Sequence, residues 1–136
     1  MASKELQLQG AIVARLKGFA GLSALVADRV FDAVPDKAKY PYVTLGETQF
    51  LNTDMSCIRA WDAYLTLHSW SQKVGFTEVK QIADAIEDAL HLAPLPMQNF
   101  RVALITHSQS RAFRDPDGVT SHAVNQFIAR VEAIPA

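Results

Sequence analysis

Cysteine is nearly missing from this chain: Cys57 is the only one in 136 residues. A single thiol closes no intrachain disulfide and completes no cysteine-based zinc site, and a reducing compartment fits best. Glycine is also scarce, with six in all, none in a Gly-x-Gly-x-x-Gly or Walker spacing. The usual backbone cradle for phosphates is therefore excluded. Long apolar runs are absent, nothing approaching the roughly 18 residues that span a bilayer. The opening Met1-Ala2-Ser3-Lys4-Glu5-Leu6-Gln7 carries no apolar signal core. We expect cytoplasmic synthesis without export signal or membrane anchor. Neither sign of charge dominates: 13 Lys plus Arg stand against 14 Asp plus Glu, a net charge of −1. Tight nonspecific binding to nucleic acid or anionic lipid is disfavoured.

What is present describes an ordinary globular protein, 49% hydrophobic and 20% charged. Its length suits one domain over residues 1–136, able to bury about two thirds of the surface its unfolded chain exposes.

Periodicity divides the chain into elements. From Ser3 to Lys17 the apolar residues Leu6, Ile12, Val13 and Leu16, joined by Ala11 and Phe19, favour one helical face, with Ser3 as N-cap. Gly18 and Gly21 punctuate, residues 22–27 add a short turn of helix, and Arg29-Val30-Phe31 runs extended. Residues 34–41 form a loop ending in Tyr40-Pro41-Tyr42, where proline holds Tyr40 extended and releases a strand at Tyr42. Strands are predicted from Tyr42 to about Leu51 and from Ile58 to Trp70, joined by a polar segment. In the second, Trp61, Ala63, Leu65 and Leu67 face one way and Asp62, Tyr64, Thr66 and His68 the other, as in a sheet covered on one face. The cover is a helix over 75–92, whose stripe Phe76, Val79, Ile82, Ala83, Ile86, Ala89 and Leu90 repeats at i, i+3, i+4. Lys80 and Asp84 are spaced to pair on its opposite face. Pro94 and Pro96 end it. Two strands, about Phe100 to Arg114 and Val119 to Ile134, flank Asp115-Pro116-Asp117-Gly118, which is turn chemistry. The fold class is α+β: an antiparallel sheet of about four strands, two main helices on one face and a long C-terminal hairpin.

Catalytic and metal patterns fail on spacing. His68, His91, His107 and His122 include no His-x-x-x-His pair on a helix. His107 and His122 are placed to face each other across the hairpin, and two imidazoles alone make a poor metal site. Ser108 and Ser110 beside His107 lack a Gly-x-Ser-x-Gly elbow or oxyanion loop, and nothing assigns Cys57 a base. We expect no enzyme, no cofactor and no metal. Arg101, Arg111 and Arg114, with Phe113, make the strongest basic and aromatic cluster. Stacking on single-stranded bases is one reading; a solvated tip balanced by Asp115 and Asp117, or a protein contact, outweighs it. Phe50, Leu51 and Met55, near the other strand connection, are expected to be exposed apolar residues, and such residues at loop tips mark partners.

Several segments together carry a resemblance: Leu8-Gln9-Gly10-Ala11-Ile12 with Arg15-Leu16, Val30-Phe31-Asp32 with Val34-Pro35, Tyr40-Pro41-Tyr42-Val43-Thr44-Leu45-Gly46, residues 65–71 from Leu65 to Ser71, Ile82-Ala83-Asp84-Ala85-Ile86, and residues 117–122 from Asp117 to His122. In their order and spacing the chain resembles the tail-completion or tail-terminator proteins of long-tailed bacteriophages, prophages and gene transfer agents. The resemblance runs almost end to end and brings no catalytic residues. It implies a structural virion protein, assembled in the bacterial cytoplasm, that forms a homohexameric ring at the head-proximal end of the tail tube. Such a ring stops tube polymerisation, meets the tail tube protein and the head-completion or stopper protein, and lets duplex DNA pass through its lumen unbound. Ring contacts are expected along the strands near 42–51 and 100–114. Candidate subunit or tube contacts are Phe50, Leu51, Met55, Arg111, Phe113, Arg114, Asp115 and Asp117. The rival reading is a small α+β domain binding a ligand or nucleic acid without catalysis.

Overall fold

Ser3 caps the first helix as expected, its hydroxyl accepting a hydrogen bond from the Leu6 amide at 3.3 Å at the N-terminus of α1 (Lys4–Gly18). The computed structural model describes residues 3–135. Met1, Ala2 and Ala136, the ends of the expected 1–136 domain, lie outside the described residues. The elements that follow are α2 (Ala20–Val26), β1 (Val30–Phe31), β2 (Tyr42–Asn52), β3 (Ala60–Ser71), α3 (Thr77–Leu90), β4 (Phe100–Arg114) and β5 (Ser121–Ala133). Among the described residues no helix is long and apolar enough to cross a membrane.

The sheet corrects the expected four antiparallel strands. Among the described residues it has five, in the order β1-β2-β3-β5-β4, and the short β1 pairs parallel with β2, Val30 opposite Val43 and Phe31 opposite Thr44. Two residues are too few to show a period, so the extended segment was legible and its place in the sheet was not. β3 is central, antiparallel to β2 and β5, and β5 pairs antiparallel with β4.

The alternation along β3 holds: Trp61, Ala63, Leu65 and Leu67 are buried in the core, and Tyr64 is exposed. The helices cover this face. α3 contributes Ile82, Ile86, Ala89 and Leu90 to the core, and Ala85, which lay outside the expected stripe. α1 differs more, because its buried line is Leu8, Ile12 and Leu16, while Leu6 is 68% exposed. Positions i, i+4, i+8 stack on one face, and Leu6 lies off it. Lys80 does not pair with Asp84 among the described residues; its ammonium lies 5.4 Å from the centre of the Phe76 ring.

The hairpin forms, with the Asp115 amide donating to the Thr120 carbonyl at 2.8 Å and the Gly118 amide to the Asp115 carbonyl at 2.9 Å. Gly118 has φ +73°, a conformation that side chains resist. Because the turn centres near 117 rather than 114, the expected His107–His122 pairing is wrong. Phe113 lies opposite His122, and His107 opposite Phe127, with bulges at Val102/Leu104 and His107/Gln109.

Candidate interaction surfaces

Helices cover one face of the sheet, leaving three surfaces for partners: the bare face, the two side edges and the two strand ends. At one end of the bare face β2, β3, β5 and β4 bring Tyr42, Trp70, His122 and Phe113 into one row. Trp70 stacks on His122 with ring centres 3.7 Å apart, and Phe113 lies 4.7 Å from the same imidazole. Tyr40 packs on Tyr42 at 4.9 Å. Burial, and then the neighbouring Tyr40 hydroxyl, push the Tyr42 phenol up to about 12.

One step along, His68 Nδ1 meets His122 Nε2 at 2.7 Å, and Asp115 Oδ1 lies 3.5 Å from His122 Nδ1. Burial lowers the pKa of His68, and Arg111 adds to the shift. Burial also lowers that of His122, followed by His68, against the raising pull of Asp115. This pair was missed in sequence; its only local trace is His68 and Trp70 on alternate positions of one strand.

A pH dependence follows with a definite sign. A histidine whose folded pKa lies below its ordinary value of 6.5 stabilises the fold fully above 6.5. That contribution declines as the pH falls below 6.5 toward the depressed folded values. The melting temperature should drop on acidification from pH 7 to pH 5, and His68→Gln should flatten the profile. An unchanged profile in that variant would place the acid sensitivity elsewhere.

Gly46 makes the cluster possible. It sits in a bulge of β2 between Leu45 and Thr48, where an added Cβ would lie 2.7 Å from His68 Nε2 and 3.0 Å from the Thr66 carbonyl oxygen. Gly46→Ala should cost about 1–3 kcal/mol by overpacking. Adding His68→Ala should recover part of that loss in a denaturant series, and purely additive losses would show that the backbone carbonyl is the obstacle.

The eight candidate contacts fall towards opposite ends of the sheet, the levels of Leu51 and Phe113 lying roughly 26 Å apart at about 3.3 Å per residue. At the hairpin end, the Arg111 guanidinium lies 5.4 Å from the Phe113 ring centre and that of Arg114 lies 4.7 Å from Phe76. Asp115 faces His122. Asp117 serves its own turn: Oδ1 accepts from the Val119 and Thr120 amides, and Oδ2 from the Thr120 hydroxyl. Those Thr120 bonds, with Val119, hold its carboxyl below the usual range.

At the other end, Leu51 and Met55 are exposed, at 44% and 64%. Phe50 corrects the expectation: it lies opposite Ala63 and packs half-buried against the core, since alternation turns it inward where Leu51 turns out. Met55 is held by Arg130, whose Nη2 lies 3.4 Å from its sulfur. Arg101 also belongs to this end, apart from Arg111 and Arg114. It bonds Glu132 Oε1 at 2.7 Å, and Arg130 bonds Glu132 Oε2 at 3.0 Å. These two guanidiniums, Arg101 first, keep the Glu132 carboxyl below its ordinary value. Arg101 and Arg111 lie on one strand, β4, whose own length places them roughly 33 Å apart at about 3.3 Å per residue.

His91 is likewise brought to the hairpin, its Nδ1 accepting from the His107 amide at 3.0 Å. Among the described residues no group of three His, Cys, Asp or Glu side chains is placed to hold a metal ion. A groove of about 420 Å³ runs between α1 and β2, lined by Leu6, Leu8, Ile12, Asp32, Leu45 and Phe50 among others. Polar Glu5 and Gln9 also line it, with Gln9 Nε2 donating to Asp32 Oδ2 at 3.2 Å.

The sequence profile described as tail completion protein gp17 matches residues 10–132. A chain in the structure of the virion of a native gene transfer agent particle is 27% identical, with a TM-score of 0.90 over 98% of this chain and 100% of that one. The gp17 protein of bacteriophage SPP1 is 24% identical with a TM-score of 0.56, covering 97% and 93% of the two chains. That second likeness speaks to the fold alone. No curated protein matches.

Proposed function

The chain belongs to the tail completion protein gp17 family, and from that premise we propose that it is the terminator of a phage or phage-like tail. Its role is structural rather than catalytic, and its place is the virion tail. Six copies form a ring at the head-proximal end of the tail tube. One ring face copies the stacking surface of a tube ring, and the other differs, so tube growth stops there and the head-completion protein docks. The observation that carries this reading is the end-to-end correspondence with a chain of a gene transfer agent virion.

Further features support it. The candidate contacts divide between two ends of one sheet, as a subunit touching different neighbours above and below requires. Loop tips carry such contacts because they bear little of the core. A net charge of −1 suits a lumen through which duplex DNA slides, since many Lys and Arg contacts would hold the phosphates. The lumen is expected to be neutral or acidic, and a resolved ring lined by Arg and Lys would reject that point.

The test is the particle mass by light scattering over a concentration series, with negative-stain images, alone and with tube protein added. A particle near six times 15.0 kDa with a central hole is expected. A monomer under both conditions would overturn the ring.

A further inference from the structure

The two side edges of the sheet are not equally free. The middle of β4 is occupied by the chain leaving α3: the Leu92 amide donates to the Ile105 carbonyl at 2.8 Å, and the His107 amide to His91 Nδ1 at 3.0 Å. β2 is covered by β1 only at Val43 and Thr44. Beyond Thr44, among the described residues, β3 alone bonds to its main chain. The outward amides and carbonyls from Thr48 to Asn52 are therefore an open template for a further strand. The bulge between Leu45 and Thr48 limits that template at one end.

The groove of about 420 Å³ lies beside this edge. Leu45, Thr48 and Phe50 turn to the helix side, opposite Leu67, Leu65 and Ala63 of β3. Leu6 and Ile12 of α1 line the same groove. Ile12 belongs to the core, whereas Leu6 is 68% exposed and stands open beside it. A strand added to β2 would send every second side chain over these apolar residues, because side chains alternate between faces.

Charge adds a third constraint. Among the described residues the charged lining is Glu5 and Asp32, and they mark the two ends. Asp32 follows Phe31, which pairs with Thr44, so it stands at the Leu45 end. Glu5 follows Lys4, whose ammonium lies 5.5 Å from the Phe50 ring centre. Glu47, exposed on the bulge, adds a carboxylate. Lys4 lies 3.9 Å from Glu5, a loose pair that offsets one of the three acids only in part.

From the open edge, the apolar lining and the acidic ends, we infer that the groove receives an extended segment of a partner protein, added as a strand to residues 48–52 of β2. That segment carries apolar side chains at alternate positions and Lys or Arg at both ends. In strand addition the main-chain bonds supply affinity, and sites for alternate side chains supply specificity. Of the eight candidate contacts Phe50 alone lines the groove, so this surface does not depend on the ring.

The probe is the fluorescein-labelled peptide Arg-Val-Thr-Leu-Thr-Val-Arg, titrated with the whole protein by fluorescence anisotropy. Backbone amide exchange in the same complex is read by NMR. Saturable binding below about 1 mM is expected, with slowed exchange within residues 48–52. Glutamate in place of both arginines should weaken binding more than about tenfold, since like charges then meet at both ends. Glu5→Gln with Asp32→Asn should narrow the difference between the two peptides. Leu6→Ser should keep the wild-type melting temperature and weaken both peptides alike.

No saturation by the arginine peptide overturns the inference. Saturation without slowed exchange at 48–52 overturns strand addition, and equal affinity for the two peptides overturns the basic partner. Protection of 48–52 that grows with protein concentration in the absence of peptide makes the occupant a second copy and overturns a foreign segment. A monomer that still binds the peptide removes the ring and upholds this surface.

Discussion

Replacing Ile86 by alanine is expected to lower the unfolding free energy by about 2–5 kcal/mol, and Ile82→Ala or Leu90→Ala by a similar amount. All three side chains are fully buried and lie in the main core with Leu65, Leu67 and Phe127 of the sheet. Removing their outer carbons takes apolar surface out of contact and leaves a cavity that helix and sheet cannot both collapse to fill. Against a total stability of about 5–15 kcal/mol for a domain of this kind, the loss is large. Asp84→Ala, on the exposed face of α3, should stay within about 0.5 kcal/mol. Urea unfolding of the four variants makes the comparison. Equal midpoints for Ile86→Ala and Asp84→Ala would mean that α3 does not cover the sheet.

The second large effect is expected on assembly. Phe113 is exposed at the end of β4, and Arg114 extends over Phe76 at the N-terminus of α3. Neither belongs to the main core. Arg114→Asp removes one cation–π contact, about 0.5–1 kcal/mol at an exposed site. Phe113→Ser gives up its packing against His122. Both variants should therefore fold.

If the hairpin tip meets a neighbouring protein, truncating a buried anchor costs about 2 kcal/mol or more at the contact. At about 1.4 kcal/mol per factor of ten, that is more than tenfold in affinity. The yield of tails of correct length, counted by electron microscopy after complementation, should fall accordingly. Wild-type yields from both variants would remove the hairpin tip from the contact surface while leaving the family assignment untouched.

The amino-acid sequence by itself determined the main elements and the inward faces of β3 and α3, though not that of α1. The alternation from Trp61 to His68, the stripe from Val79 to Leu90 and the Asp-Pro-Asp-Gly turn each arise from chemistry within a dozen residues, where backbone period and turn preference act directly. The order of recurring segments also sufficed to identify the family. Strand neighbours were a different matter. That β5 lies between β3 and β4 and that β1 joins β2 in parallel were decided by pairings between distant segments.

A strand's side-chain pattern states which face is apolar and leaves open which strand will lie beside it. The same holds for His68 and His122, 54 positions apart in sequence and in hydrogen-bond contact in the fold. Local sequence set what each element presents, and tertiary structure chose the partners, because pairing energy depends on the joint burial of surfaces that no single segment contains.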